Sequence, residues 1–126
     1  MENEKIEVLE EQQRPYNNRH RCFHFAKEVM NFVKDCNYER IHFSIFDQLI
    51  RSATSIGANV VEGGSGSTKK DFINFFYIAL KSANETRYWL CLIRDTIEVN
   101  RYKIDELLKE EEEISNIIAA IILSAK

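Results

Sequence analysis

The run EGGSGSTKK at residues 62–70 holds three of the chain's four glycines and a lysine pair, so phosphate binding is the first chemistry to consider. A Walker loop requires the order G-x-x-x-x-G-K-[ST], whereas here Ser67 and Thr68 come before the lysines. The dinucleotide-binding pattern also fails, because a third glycine at the proper interval and a preceding strand are both missing. The run matches neither of these phosphate-binding motifs.

The same run has the composition of a turn between two helices. We predict that Gly63 or Gly64 ends one helix in the left-handed conformation, where glycine has no steric penalty. Thr68 and Asp71 then have the spacing of a capping box, with Thr68 as the N-cap of the next helix. A helix N-terminus beside lysines can also bind an anion, so the loop at residues 63–68 is either a cap alone or a cap that binds an anion.

The nearest approach to a catalytic constellation consists of Arg51, Asn59, Glu62 and Glu85. Two carboxylates can act as general acid and base, but no histidine, serine–base pair or metal cluster accompanies them in the sequence. If two antiparallel helices carry them, Arg51 would pair with Glu85 or Glu62 and fix the register and a subunit contact. The sequence therefore predicts a structural role for these residues and no enzyme activity.

The candidate metal ligands are few. His20 and His24 lie one turn apart on a predicted helix, but two ligands do not make a site, and we interpret them as a surface pair. Cys22, Cys36 and Cys91 are odd in number and contain no C-x-x-C pair, which indicates reduced structural thiols. We expect no metal and no cofactor.

The charge is distributed unevenly along the chain, although its net value is only −3. Residues 14–70 hold nine Lys or Arg against five Asp or Glu, whereas residues 1–13 hold one against five. The whole molecule therefore has no attractive long-range field for nucleic acid, and any anion-binding surface must be local. The stretch that contains Arg14, Arg19 and Arg21 has the composition of a solvated arm as well as that of an RNA-binding segment, so both interpretations stay open. The candidate nucleic-acid-binding residues are Arg14, Arg19, Arg21, Lys69 and Lys70.

Hydrophobic periodicity indicates an all-α domain. Apolar residues recur at i, i+3, i+4 and i+7, which is the pattern of amphipathic helices. We expect a polar tail at residues 1–19 and an antiparallel up-and-down four-helix bundle at residues 20–126. No signal peptide or membrane-spanning run is visible, so a cytoplasmic location is expected. The predicted helices cover residues 20–36, 44–62, 69–98 and 103–125.

Two local features complete the helix predictions. Ser44 and Asp47 have capping-box spacing at the start of the second helix. The acidic run Glu110–Glu113 is interpreted as a solvated face of the fourth helix.

The third helix begins DFINFFYIAL and the fourth ends ISNIIAAIIL, and both segments are apolar over more than one face. Such helices must be covered on several sides, so we expect copies of the chain to associate.

Three motifs, SIGANVVEG (55–63), STKKDF (67–72) and ALKSANET (79–86) followed by YWL, resemble the bacterial four-helix bundle proteins also known as 23S ribosomal-RNA intervening-sequence proteins. The resemblance spans about residues 22–125. It implies a barrel-like homopentamer without known catalytic activity. Relatives are encoded inside insertions in ribosomal-RNA genes, and a similar branch serves diversity-generating retroelements, partnering a reverse transcriptase and nucleic acid.

The resemblance extends to a set of characteristic positions, and we expect all of them except Gly63 and Lys69 to form a polar seam between the second and third helices. The predicted function is a non-enzymatic homo-oligomer that engages ribosomal or other structured RNA through repeated basic patches. The alternative is a protein-interaction scaffold or accessory subunit that docks a protein such as a reverse transcriptase without contacting nucleic acid. The family's polar positions correspond to Gln48, Arg51, Ser55, Asn59, Glu62, Gly63, Lys69, Ser82 and Glu85.

Overall fold

The computed structural model describes residues 17–65 and 68–126, and within them it contains helices and no strand. The predictions on Arg14 and the polar tail up to residue 16 therefore lie outside the described residues, as does the centre of the loop at residues 66–67. The prediction of four helices is confirmed, with each end within about two residues of its expected position. The helices are α1 (Asn18–Asp35), α2 (Phe43–Gly64), α3 (Lys69–Thr96) and α4 (Arg101–Ala125), with a 3-10 turn at Arg40–His42 before α2.

The four helices enclose one apolar core. Helix α1 packs against α2 and α4, and α3 packs against the same two, so α1 and α3 occupy opposite corners of the bundle. Short connections make consecutive helices antiparallel, so α1 and α3 point the same way. Each helix buries at least one large side chain almost completely, namely Phe25, Phe46, Leu90 and Ile114.

The predicted capping box at the start of α2 is wrong. The 3-10 turn at Arg40–His42 continues directly into α2, and the cap residue His42 makes no side-chain hydrogen bond to the helix. Ser44 lies inside the helix, and Asp47 accepts a hydrogen bond from Arg51 Nε at 2.9 Å. The turn already orders the backbone ahead of the helix, so the side-chain cap that the sequence pattern suggested is not used.

The end of α2 also differs from the prediction, because the helix continues through Gly64 and none of the described glycines has a positive φ. Gly63 is buried, and a β-carbon added there would lie 2.9 Å from the Phe76 ring. Its role is therefore close packing of α2 against α3. The predicted cap of α3 is confirmed, since the backbone N–H of Asp71 donates to Thr68 Oγ1 at 3.0 Å.

Candidate functional site

Arg21, one of the predicted nucleic-acid-binding residues, is bound to α4. Its Nε and Nη2 donate to the two carboxylate oxygens of Glu110 at 2.8 and 2.9 Å, and Nη2 also donates to Glu113. The hydrogen bond to Glu110 is the main cause that raises the pKa of Arg21 above its usual value. Two carboxylates therefore offset the charge of Arg21 within the chain, and its side chain links α1 to α4.

The interpretation of Glu110–Glu113 as a solvated face is wrong for one of its members. Four successive helical residues span about 300° around the axis, so such a run cannot all face solvent on a helix packed on two sides. Glu111 points inward and is 1% exposed, whereas Glu112 is exposed. The Glu111 carboxylate accepts a hydrogen bond from Arg87 Nη1 at 3.2 Å and one from Ser115 Oγ at 2.5 Å.

The other described cations of the predicted patch are exposed, and they lie at one end of the bundle. Arg19 is near the start of α1, and Lys69 and Lys70 begin α3, which runs in the same direction. Lys126, at the end of α4, lies near this end but about two turns further along α3, because its Nζ is 5.3 Å from the centroid of the Tyr77 ring. We call Arg19, Lys69, Lys70 and Lys126 the basic end.

Buried and half-buried hydroxyl groups connect α2 to α3. Ser55 Oγ lies 2.9 Å from Ser82 Oγ, and one turn away Thr86 Oγ1 donates to Ser52 Oγ at 2.9 Å. The Asn59 amide donates to the backbone oxygen of Ser55 at 2.8 Å. We call Ser52, Ser55, Ser82 and Thr86 the hydroxyl ladder; it brings Ser55, Asn59 and Ser82 together.

Sequence reasoning missed Thr86, although a signal was available. Thr86 lies one helical turn after Ser82, within the motif ALKSANET, and is completely buried. Its hydroxyl donates to both Ser52 and the backbone oxygen of Ser82.

The charged members of the expected seam have other partners. Arg51 pairs with Asp47 on its own helix at 2.9 Å, so the expected pairing with Glu62 or Glu85 is replaced by a local one. Glu85 accepts a hydrogen bond from Trp89 Nε1 at 3.0 Å. The hydroxyl ladder therefore connects the two helices where an ion pair was expected. Two further members of the set, Gln48 and Glu62, are half-buried and exposed, respectively.

A groove between α1 and α2 leaves apolar side chains open to solvent. Its volume is about 640 Å³, and Phe23, one of its lining residues, is 68% exposed. Helices α1 and α2 approach closely at its floor, since a β-carbon at Gly57 would lie 3.2 Å from that of Cys22. Apolar surface is exposed elsewhere too, at Ile78 on α3 and Leu123 on α4. The α1–α2 groove is lined in part by Phe23, Ala26, Met30, Gly57, Ala58 and Val61.

Among the described residues, the histidine and cysteine side chains do not cluster into a metal site. In residues 17–65 and 68–126, no group of three or more His, Cys, Asp or Glu side chains could hold a metal ion. His24 Nε2 lies 3.8 Å from Glu28 Oε1 on the surface. All three cysteines are free, and burial raises the pKa of the Cys22 thiol to about 12. At neutral pH Cys22 is therefore a protonated packing group.

None of the described helices combines the length and the hydropathy needed to cross a membrane.

Comparisons with known proteins agree with this architecture. The family model described as 23S rRNA-intervening sequence protein matches residues 17–120. The crystal structure of a protein of unknown function from the S23 ribosomal protein family of Bacteroides thetaiotaomicron is 36% identical, with a TM-score of 0.77. The alignment covers 83% of this chain and 97% of the Bacteroides chain. No curated protein matches the chain.

Proposed function

Because this chain belongs to the 23S rRNA-intervening sequence protein family, we propose that it is a non-enzymatic homo-oligomer that binds structured RNA. The single observation that carries the proposal is the basic end, where Arg19, Lys69 and Lys70 are exposed at the same end of the bundle together with Lys126. Exposed cations gathered on one side of a molecule can neutralise successive phosphates.

Self-association explains how an acidic subunit binds a polyanion. The net charge of the chain is −3, so a single basic end is weak. A closed ring of copies, a pentamer as the resemblance implies, would present one basic end per subunit and gain affinity through avidity. The α1–α2 groove is the proposed subunit contact, because exposed apolar patches of this kind mark protein interfaces.

The oligomer is tested by light scattering of the purified protein. A wild-type mass of several subunits is expected, and Met30→Lys, which places a charge in the α1–α2 groove, should lower it. Lys34→Met, on the same helix but outside the groove, is the control and should leave the mass unchanged. A wild-type monomer at micromolar concentration would contradict the oligomer.

The RNA contact is tested by measuring affinity for a ribosomal-RNA fragment over a range of salt concentrations. The double variant Arg19→Glu and Lys69→Glu should flatten the slope of log K against log salt by about 1.5, because two phosphate contacts are lost. The matched control reverses Arg101 and Lys103, two exposed cations at the start of α4, the opposite end of the bundle. Equal slopes for the two variants would refute the assignment of the basic end.

A second candidate function is an accessory subunit that docks another protein, and the α1–α2 groove favours it. In that case a reverse transcriptase or similar protein would occupy the groove without any nucleic acid. The discriminating experiment is co-purification with such a protein after nuclease treatment. Retention by the wild type and loss by Met30→Lys, with the oligomer mass unchanged, would favour this second function over the first.

A further inference from the structure

The outer face of α3 carries a repeated set of polar and aromatic side chains. All six side chains are exposed to solvent; Tyr77 is 39% exposed and Tyr88 is 61% exposed. Large aromatic side chains in the open contribute little to the core of their own bundle, so their position calls for another explanation. We call this set the α3 stripe: Lys70, Asn74, Tyr77, Lys81, Asn84 and Tyr88.

The stripe consists of two similar triads, each with a lysine, an asparagine and a tyrosine. Lys70 and Lys81 are eleven residues apart, and so are Tyr77 and Tyr88. Eleven residues make about three helical turns, so the second triad returns to the same face as the first. At about 1.5 Å per residue, equivalent side chains are about 16 Å apart along the helix.

The electrostatics of the stripe favour an anion. Its lysines are joined near Tyr77 by Lys126, whose Nζ lies 5.3 Å from the ring centroid. The same helix also carries carboxylates, with Asp71 directly after Lys70 in its first turn and Glu85 accepting a hydrogen bond from the indole of Trp89. A polyanion running along α3 would therefore meet cations at two successive levels.

The tyrosine at the far end is held in place by its neighbour. The rings of Tyr88 and Trp89 meet edge to face, with centroids 5.0 Å apart and an interplanar angle of 78°. This contact restricts the Tyr88 ring, although most of the residue remains exposed. A restricted aromatic ring loses less freedom when a base stacks on it.

From these observations we propose that the α3 stripe binds single-stranded RNA. The tyrosine rings stack on unpaired bases, the lysines neutralise phosphates, and the asparagine amides reach base edges. A duplex offers no free base faces for the tyrosines, so the contact is with loops or single-stranded ends. Lysine is depleted in protein interfaces, which argues against a protein as the occupant. The inference rests on the proposed function and specifies which part of a structured RNA the protein contacts.

The stacking contribution is tested on the full chain with a fluorescein-labelled oligouridine of about 20 nucleotides, followed by fluorescence anisotropy at low salt. Tyr77→Ala and Tyr88→Ala should each weaken binding about tenfold, and the double variant about a hundredfold. The double Tyr→Phe variant keeps both rings and should bind like the wild type. Tyr102→Ala removes an exposed tyrosine from α4 and is the matched control.

The phosphate contribution is tested with the double variant Lys70→Gln and Lys81→Gln. Two lost phosphate contacts on a single strand should flatten the slope of log K against log salt by about 1.4. Lys103→Gln with Lys109→Gln, two exposed lysines on α4, is the control and should leave the slope unchanged. A blunt RNA duplex of the same length should compete poorly with the oligouridine, and equal competition would overturn the single-strand assignment.

Failure of this inference can be told apart from failure of the proposed function. If the wild type binds neither oligouridine nor a ribosomal-RNA fragment, both are refuted. If it binds and the double Tyr→Ala variant keeps its affinity, the stripe is refuted while the basic end stands. If that variant changes the oligomer mass in light scattering, the stripe is a subunit contact and its assignment to RNA is overturned.

Discussion

The two neighbours of α3 are joined to it by different chemistry. Toward α2, small hydroxyl side chains meet in the hydroxyl ladder, with oxygen atoms 2.9 Å apart at both levels. Toward α4, the Arg87 guanidinium reaches the Glu111 carboxylate at 3.2 Å. The first contact is neutral and brings the backbones close, whereas the second places a charge inside the bundle.

This difference changes what each interface tolerates. A neutral hydrogen bond contributes about 1 kcal/mol net, so losing one is a modest change. A buried charge adds little stability by itself, but removing its partner is costly because the remaining charge has no compensation. We therefore expect a single substitution to lower the free energy of unfolding more at the α3–α4 contact. This holds even though α2 and α3 share the more extensive contact.

The largest expected effect is at the charged contact. Arg87→Ala leaves the nearly fully buried Glu111 with only the hydroxyl of Ser115 as its hydrogen-bonding neighbour, and should lower the free energy of unfolding by about 3 kcal/mol. Urea denaturation measures the change. Combining Arg87→Met with Glu111→Leu removes both charges and should recover most of the stability.

Arg94→Ala is the control for this prediction, since Arg94 pairs with Asp95 on the surface. We expect no measurable change in stability there. Equal losses for Arg87→Ala and Arg94→Ala would contradict the special sensitivity of the α3–α4 contact.

The next effect tests the closeness of α2 and α3. Gly63→Ala puts a β-carbon 2.9 Å from the buried Phe76 ring, and the displacement should destabilise the protein by about 2 kcal/mol. Gly64→Ala is the matched control, because nothing lies within 4 Å of its added β-carbon. As alanine favours helix, that variant should gain about 0.5 kcal/mol. Thermal unfolding of the two variants should therefore shift in opposite directions, and a shared direction would argue against close packing at Gly63.

A smaller loss is expected within the hydroxyl ladder. Thr86→Val keeps the side-chain shape but removes the hydroxyl that donates to Ser52 and to the backbone oxygen of Ser82, at a cost of about 1.5 kcal/mol. Thr54→Val is the control, because Thr54 is exposed and bonds only within α2. If both variants lose the same amount in urea denaturation, the ladder does not join the helices.

The smallest effect concerns the ion pairs between α1 and α4. Arg21→Gln removes the bonds to Glu110 and Glu113, whose side chains are partly exposed, and should cost about 1 kcal/mol at low salt. The difference from the wild type should shrink in about 1 M salt, where charges are screened. The loss for Thr86→Val should not change with salt. A salt-independent loss for Arg21→Gln would show that packing, rather than charge, holds α1 to α4.

The sequence was sufficient for features that depend on local periodicity or local hydrogen bonds. Amphipathic spacing predicted all four helices, and the cap at Thr68 followed from residue type and spacing alone. The capping-box spacing gave a wrong prediction at Ser44, because a 3-10 turn precedes α2 and the capping pattern carries no information about such a turn. A side-chain N-cap can therefore be predicted from residue type and spacing only where no turn runs directly into the helix.

Features that depend on a neighbouring helix could not be predicted in the same way. Gly63 was interpreted as a turn glycine, but glycine also serves close packing, and only the position of Phe76 distinguishes the two. Glu111 lies in a run of four acids that looks solvated; helix geometry turns part of such a run inward, but its partner Arg87 comes from another helix. Ser55 and Ser82 came together as the family motifs implied, whereas the partner of Arg51 was decided by the nearer Asp47.

The enclosed carboxylate of Glu111 also constrains how the sequence can change over time. With almost no water around it, a chain that loses Arg87 keeps an unfavourable charge until the acid is replaced as well. The two positions should therefore covary among descendants of this chain, with both present or both exchanged for apolar residues. Intermediates that carry only one of the two would be short-lived on an evolutionary scale.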